Sequence, residues 1–230
     1  MTKEELLSGT VFLVNKPYTW TSFQVVKKIK NAIRKEYEIP KIKIGHAGTL
    51  DPLATGLLII CTGKFTKKID EYQAQEKEYT GSFILGATTP SFDLELPIDK
   101  EYPTTHISEE NIRQIASNFL GEQKQIPPIF SAVKVDGKRA FDYARNKEEV
   151  EIKPKVITIK AFDIENIEMP KVDFRIVCSK GTYIRSIVRD FGERLDSGAH
   201  LSSLCRTRIG EYHLKNAKEL TEILNILKSV

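Results

Sequence analysis

Strand-like and helix-like stretches follow one another irregularly along this chain of 230 residues, and no βαβ unit repeats. A doubly wound parallel sheet is therefore a poor expectation, and the pattern fits an α+β fold with a mixed, mostly antiparallel sheet and flanking helices. Residues 10–15 (TVFLVN) form a short apolar run closed by Lys16-Pro17, the pattern of a buried strand. From Ser22 the period turns helical. Val25, Val26, Ile29 and Ile33 make one face, lysines the other, and Ser22 is placed to cap the N-terminus. A loop rich in Gly, Pro and Thr spans residues 45–56 and opens into the apolar run 57–61; residues 79–85 are a further strand pattern. Residues 108–120 carry Ile112, Ile115, Ala116 and Phe119 at helical spacing and stop at Gly121. Residues 156–167 and 172–178 alternate like strands. A helix through Ile184, Ile187, Val188, Phe191 and Leu195 then ends near Gly198, and a last one is expected from Asn216, with Glu219 set as in a capping box.

Composition narrows the class. Hydrophobic residues at 40% and charged residues at 29% supply a core and a soluble surface. No apolar run approaches membrane-spanning length, and the start MTKEE is not a secretory signal, so the cytoplasm is the expected location. Cys61, Cys178 and Cys205 are odd in number and far apart, which suggests neither a disulfide framework nor a zinc site; the four histidines also lack ligand spacing. The net charge of +4 favours an anionic partner only weakly. The placement of the cations is more informative. Lys27, Lys28, Lys30, Arg34, Lys35, Lys41 and Lys43 crowd the first fifth of the chain, and Arg185, Arg189, Arg194, Arg206 and Arg208 the last. Such clusters are often just solvated faces; two of them, each beside a motif, suggest a groove that tracks phosphates.

The chemistry centres on residues 45–58, GHAGTLDPLATGLL, where three glycines and a proline frame Asp51 at the entrance to a buried strand. Glycine permits positive φ and close backbone approach, and Pro52 stiffens the residue after Asp51. An aspartate in such a turn can equally be bonded to its own backbone. A P-loop is excluded, because Gly56 and Gly63 are too far apart and Lys64 is followed by Phe65. No dinucleotide fingerprint occurs elsewhere.

Residues 45–58 resemble the G-H-x-G-T-L-D-P-x-A-x-G-x-L motif of the TruB family of tRNA pseudouridine synthases. Other segments agree in order: Asn15-Lys16-Pro17 with Thr21-Ser22, Lys77-Glu78-Tyr79, the run 126–134 (IPPIFSAVK), the run 179–185 (SKGTYIR), and 198–210 with His200, Leu204, Arg206 and Gly210. Thr19 departs from the family's usual glycine, and Phe130 and Phe141 from its usual tyrosines.

The resemblance implies a pseudouridine synthase fold forming one catalytic domain over residues 1–230. It also implies a thumb-like insertion at 122–153 that clamps RNA, and the chain leaves no room for a C-terminal PUA domain. The implied reaction converts uridine 55 in the T-loop of tRNA to pseudouridine, with Asp51 as the nucleophile at C1′. Arg185 is implied as the partner that keeps the Asp51 carboxylate charged. The rival reading puts Arg185 on a basic helix facing phosphate. Tyr79 and Tyr183 are implied as aromatic walls for a flipped base, with Tyr79 also a candidate acceptor of the C5 proton; strand aromatics in a core are the rival. His46 is implied to fill the space the base vacates, Leu204 to close the pocket, and Lys16 to belong to the substrate site. No cofactor, metal or obligate protein partner is expected, and a monomer is. Two alternatives stay open: a tRNA-binding folding helper without catalysis, and a guide-RNA-dependent relative.

Overall fold

The computed structural model describes residues 1–146 and 148–228. A capping box between Thr2 and Glu5 starts a short helix, α1 (Lys3–Ser8), and strand β1 (Val11–Lys16) follows. Thr21, rather than Ser22, caps the next helix, α2 (Ser22–Glu36). Its hydroxyl accepts from Gln24 N, and the Gln24 side chain accepts from Thr21 N. Next come β2 (Ile44–His46), β3 (Ala54–Thr62), α3 (Ile69–Ala74) and β4 (Lys77–Leu85). Ser108 caps α4 (Glu109–Ser117), and Gly121 at φ 91° turns the chain into β5 (Gly121–Gln125). The longer elements end with α5 (Ala140–Arg145), β6 (Lys155–Glu168), β7 (Lys171–Cys178), α6 (Ile184–Arg194), β8 (Ala199–Ile209) and α7 (Leu220–Lys228).

The chain divides into two compact units, Met1–Tyr79 with the residues from Leu204 onward, and Thr80–Ser203. In the first unit, Lys218–Glu219 runs parallel to β1, β1 antiparallel to β3, and β3 parallel to β8; β2 adds to β3. Strand β3 is buried on both faces, which is why its sequence is a continuous apolar run rather than an alternating one. Leu58 and Ile60 pack with Phe12 and Val14 against Val25, Ile29 and Ile33 of α2 and Ile223 and Leu227 of α7. Leu57, Ile59 and Cys61 face Tyr72 and Ile209. Helix α7 begins four residues later than the sequence suggests. Glu219 is used in the parallel pair with Asn15, and its backbone N–H is taken by Glu222.

In the second unit the order is β4-β7-β6-β5, and the β7–β6 and β6–β5 pairs are antiparallel. Five buried rings, Phe83, Phe119, Phe162, Phe174 and Phe191, form its centre, with centroids from 4.9 to 6.2 Å apart in edge, tilted and stacked pairs. Such pairs contribute about 0.5–1.5 kcal/mol each beyond their area. The excursion expected over 122–153 begins later than its sequence suggests. Residues 122–125 belong to β5, in register with β6, and only beyond the Pro127-Pro128 step does the chain leave the sheet. It then forms a small hairpin at Lys134–Arg139 and α5.

No helix among the described residues is long and apolar enough to cross a membrane.

Candidate active site

The loop carrying Asp51 is held at five points by residues of the first unit. Ser22, free of capping duty, is buried; its hydroxyl accepts from Leu50 N (2.8 Å) and donates to Leu50 O (3.1 Å). Lys16, wholly buried, donates from Nζ to Pro17 O (2.9 Å), Trp20 O and Pro52 O (3.2 Å). Asn15 Oδ1 accepts from Gly56 N. Arg206, 1% exposed, donates from Nε to Leu57 O (2.8 Å) and from Nη2 to Gly48 O (3.0 Å), so one guanidinium spans both ends of the loop. Two of the loop's glycines follow from that arrangement. Gly48 and Gly56 take φ of 91° and 101°, and a Cβ at Gly56 would lie 2.4 Å from Arg206 O. Asp51 is left half-buried at the crest, its carbonyl closing a turn to Ala54 N (3.1 Å).

The electrostatics of this loop are unusual. Burial pushes the Lys16 ammonium down from 10.5 to about 8, Asp51 pulling it back up and Arg206 pushing it further down. Lys16 thus feels Asp51 and Arg206 in opposite directions. Burial, assisted by Arg206, also lowers the pKa of His46 on β2, while a backbone bond with Gly48 opposes the shift. Its Nδ1 finds no hydrogen-bond partner among the described residues.

A pH-dependent stability follows from Lys16. Its pKa is about 8 in the folded chain against 10.5 unfolded, so between those values the unfolded chain binds more protons, and raising the pH favours the fold. Cys61 and Tyr72, pushed up by burial to about 11 and about 12, act in the opposite direction. A comparison with Lys16→Met cancels both. Wild type minus variant, measured by urea unfolding, is expected to grow in favour of wild type from pH 8 to pH 10.5. A difference that is flat with pH would mean that Lys16 keeps its ordinary affinity for protons.

The other expected site residues are placed as follows. Leu204 is buried, opposite Ala54 in the parallel register, and its carbonyl accepts from Thr55 Oγ1 (3.4 Å). Tyr79 is 8% exposed and follows Glu78, whose carbonyl and carboxylate accept from Thr207 Oγ1 at 3.3 and 2.8 Å. Tyr183 and Arg185 belong to the second unit. Tyr183 is half-buried at the N-terminal end of α6. The buried Gln125 amide grips its backbone, donating to Tyr183 O (3.0 Å) and accepting from Tyr183 N (2.8 Å), and Lys155 Nζ lies 5.5 Å from its ring centre. The Arg185 guanidinium is buried, donating to Ser91 O (3.0 Å) and Phe130 O (2.9 Å), with Nε 3.6 Å from Asp93 Oδ2. Asp93 is itself buried and carries no motif that sequence reasoning could use.

One expectation needs correcting. The last-fifth basic cluster is not a free phosphate-binding surface. Arg185 and Arg206 are buried, Arg208 bonds Glu76 (2.7 Å), Arg189 bonds Asp190, and Arg194 lies over the Phe119 ring. Lys16 turns its ammonium inward to three carbonyls and presents none of it to solvent. Among the sequence departures, Phe130 is used by Arg185 through its carbonyl, a group any residue supplies. Thr19 has a cost, because it takes φ 67°, where a β-branched side chain is strained by roughly 1–2 kcal/mol. No cluster of His, Cys, Asp and Glu among the described residues could hold a metal.

Comparison with known proteins bears on this site. Residues 34–184 match the TruB family pseudouridylate synthase (N terminal domain). The chain is 57% identical over 96% of its length to tRNA pseudouridine synthase B of Flavobacterium johnsoniae, covering 97% of that protein, and 54% identical over 90% to the protein of the same name from Phocaeicola vulgatus, covering 88% of it. Among solved structures, a chain of a Cbf5-Nop10-Gar1 complex aligns over 97% of this one with TM-score 0.73 and 28% identity; this chain spans 55% of that one.

Proposed function

Because the chain belongs to the TruB family of pseudouridylate synthases, we propose that it converts a uridine of tRNA to pseudouridine, at position 55 in the T-loop, with Asp51 as the nucleophile. The supporting observation is the Asp51 loop itself. Residues from β1, α2 and β8 converge to fix one short stretch of backbone whose only carboxylate is Asp51. Preorganisation of this kind suits a reaction that needs one accurately placed group. The isomerisation breaks the C1′–N1 bond, turns the uracil and rejoins it at C1′–C5, with a proton leaving C5 and N1 ending protonated. No atom enters or leaves overall, so a carboxylate that captures or stabilises the electron-poor C1′ suffices. Relatives at 54–57% identity carry the tRNA synthase name, which favours tRNA modification over the guide-RNA reading.

In this reading Tyr79 and Tyr183 flank the flipped base, with Tyr79 the candidate acceptor of the C5 proton, and His46 and Leu204 complete the pocket. The test is incubation with unmodified tRNA in EDTA, followed by carbodiimide primer-extension mapping. A stop at uridine 55 is expected, and its absence in a folded preparation overturns the proposal.

Arg185 is proposed to act on Asp51 as well as to order Asp93 and the Ser91 and Phe130 carbonyls. Arg185→Lys keeps the charge and loses the planar fork, and the two are not equivalent at such a site. Turnover is expected to fall at least about tenfold, about 1.4 kcal/mol in barrier, with a smaller change in affinity. A defect in binding alone would assign Arg185 to phosphate contact.

A further inference from the structure

The Asp51 loop is tied through Ser22 to the first turn of α2, a 15-residue helix about 22 Å long that leads away from it. One face of α2 is core. The other is basic and largely unpaired. Lys27, Lys28, Arg34 and Lys35 are exposed, and no Asp or Glu occurs from Pro17 through Lys35. Among the described residues, the ion pair found on this face is Lys35 with Glu36, at 3.8 Å. At the loop end stand two unusually exposed aromatic rings, Tyr18 at 57% and Phe23 at 69%. Along the same helix runs an open groove of about 390 Å³ lined by Thr19, Trp20, Gln24, Lys27, Lys28 and Asn31. The turn presenting Tyr18 is fixed, because Lys16 binds the carbonyls on either side of it, Pro17 and Trp20, and Thr19 is held at positive φ.

Aromatic faces beside an acid-free strip of cations form the combination that binds non-helical nucleic acid: rings stack on bases and cations neutralise phosphates. We propose that this face of α2 docks the strand of substrate RNA leading away from the target uridine, with Tyr18 and Phe23 stacking on unpaired bases and Lys27, Lys28 and Arg34 on the backbone. The site lies outside the nucleophile's pocket and rests on the reading that the chain acts on RNA. Charge favours RNA over protein as the occupant, since an apolar partner would leave Lys27, Lys28 and Arg34 without counter-charge.

The experiment compares the full-length wild type with Lys27→Ala/Lys28→Ala and with Phe23→Ala, substitutions at exposed positions whose folding is checked by thermal unfolding. Affinity for unmodified tRNA is measured at several salt concentrations, together with the single-turnover rate at saturating RNA. The double variant is expected to bind about tenfold more weakly near 0.1 M salt, and its log–log salt slope to be shallower by about 1.4–1.8, the value for two lost phosphate contacts. Phe23→Ala is expected to weaken binding at least about fivefold with the slope unchanged, the mark of lost stacking. Both losses should appear in kcat/KM far more than in the saturated rate. If wild type modifies tRNA and both variants bind it with wild-type affinity and slope, the docking proposal fails while the functional reading stands. Variants that bind RNA normally but lose self-association in sedimentation would likewise overturn it, giving the face to a protein contact. A wild type that neither binds nor modifies tRNA removes the functional reading and this proposal with it.

Discussion

Replacing Asp51 with asparagine is expected to lower single-turnover conversion of tRNA by at least about 10⁴-fold while leaving RNA affinity within a few-fold. That fall corresponds to about 5 kcal/mol of barrier, the scale of losing a covalent nucleophile. Asparagine matches the shape of aspartate and leaves these backbone ties of the loop intact, since Ser22, Lys16, Asn15 and Arg206 bond Leu50, Pro52, Gly56 and Gly48 through main-chain atoms. The charge is lost, and one acceptor oxygen becomes an amide donor. With the charge goes the anion that pulls the Lys16 pKa upward, so Lys16 should titrate lower still in the variant. Measurements under single turnover at saturating RNA, alongside equilibrium binding, separate the two effects. Retained conversion in a preparation free of host enzyme would remove Asp51 from the chemistry.

How much of this was legible in the sequence depends on what kind of residue did the work. Apolar periodicity carried the elements reliably. Val25, Val26, Ile29 and Ile33 of α2 are all buried as their spacing implies, and so are Ile184, Ile187, Val188, Phe191 and Leu195 around α6. The cap of α2 was misplaced by one residue because Thr21 and Ser22 are both competent caps. What decides between them is Leu50, 28 positions away, which claims the serine. The burial of Lys16 and Arg206 escapes the sequence for a related reason. In sequence a lysine or arginine announces charge, not depth, and full burial of either is rare enough that solvent is the sensible expectation. Their burial depends on the antiparallel register of β1 with β3 and the parallel register of β8 with β3, which place Lys16 and Arg206 both opposite Gly56. Such long-range pairing leaves no local periodic trace. One signal is available: three glycines in twelve residues permit close backbone approach, but the strand that makes it is identifiable only from the sheet order.

Arg206 therefore carries the second large expectation. Its fork holds Gly48 O and Leu57 O at once, and its backbone occupies the space that a side chain at Gly56 would need. Lysine keeps the charge beside Lys16 and His46 but ends in one ammonium, which lacks the guanidinium's planar reach to both carbonyls. In Arg206→Lys one end of the loop is released, and Asp51 is free to wander by an ångström or so. Misplacement on that scale can cost roughly 10²-fold in rate. Turnover is accordingly expected to fall about 10²-fold with RNA affinity within about threefold, since a residue 1% exposed cannot touch the RNA directly. Arg206→Met should be worse in a different way. The buried Leu57 carbonyl and the half-buried Gly48 carbonyl lose their donor, so the fold itself loses at least about 1–3 kcal/mol in denaturant unfolding. The lysine variant is the sharper test, because it can damage placement without dismantling the unit. If it folds as wild type and turns over as wild type, the loop is held well enough by Ser22, Lys16 and Asn15, and the Arg206 clamp is dispensable. If affinity falls as far as the rate, the guanidinium is reached by RNA after all.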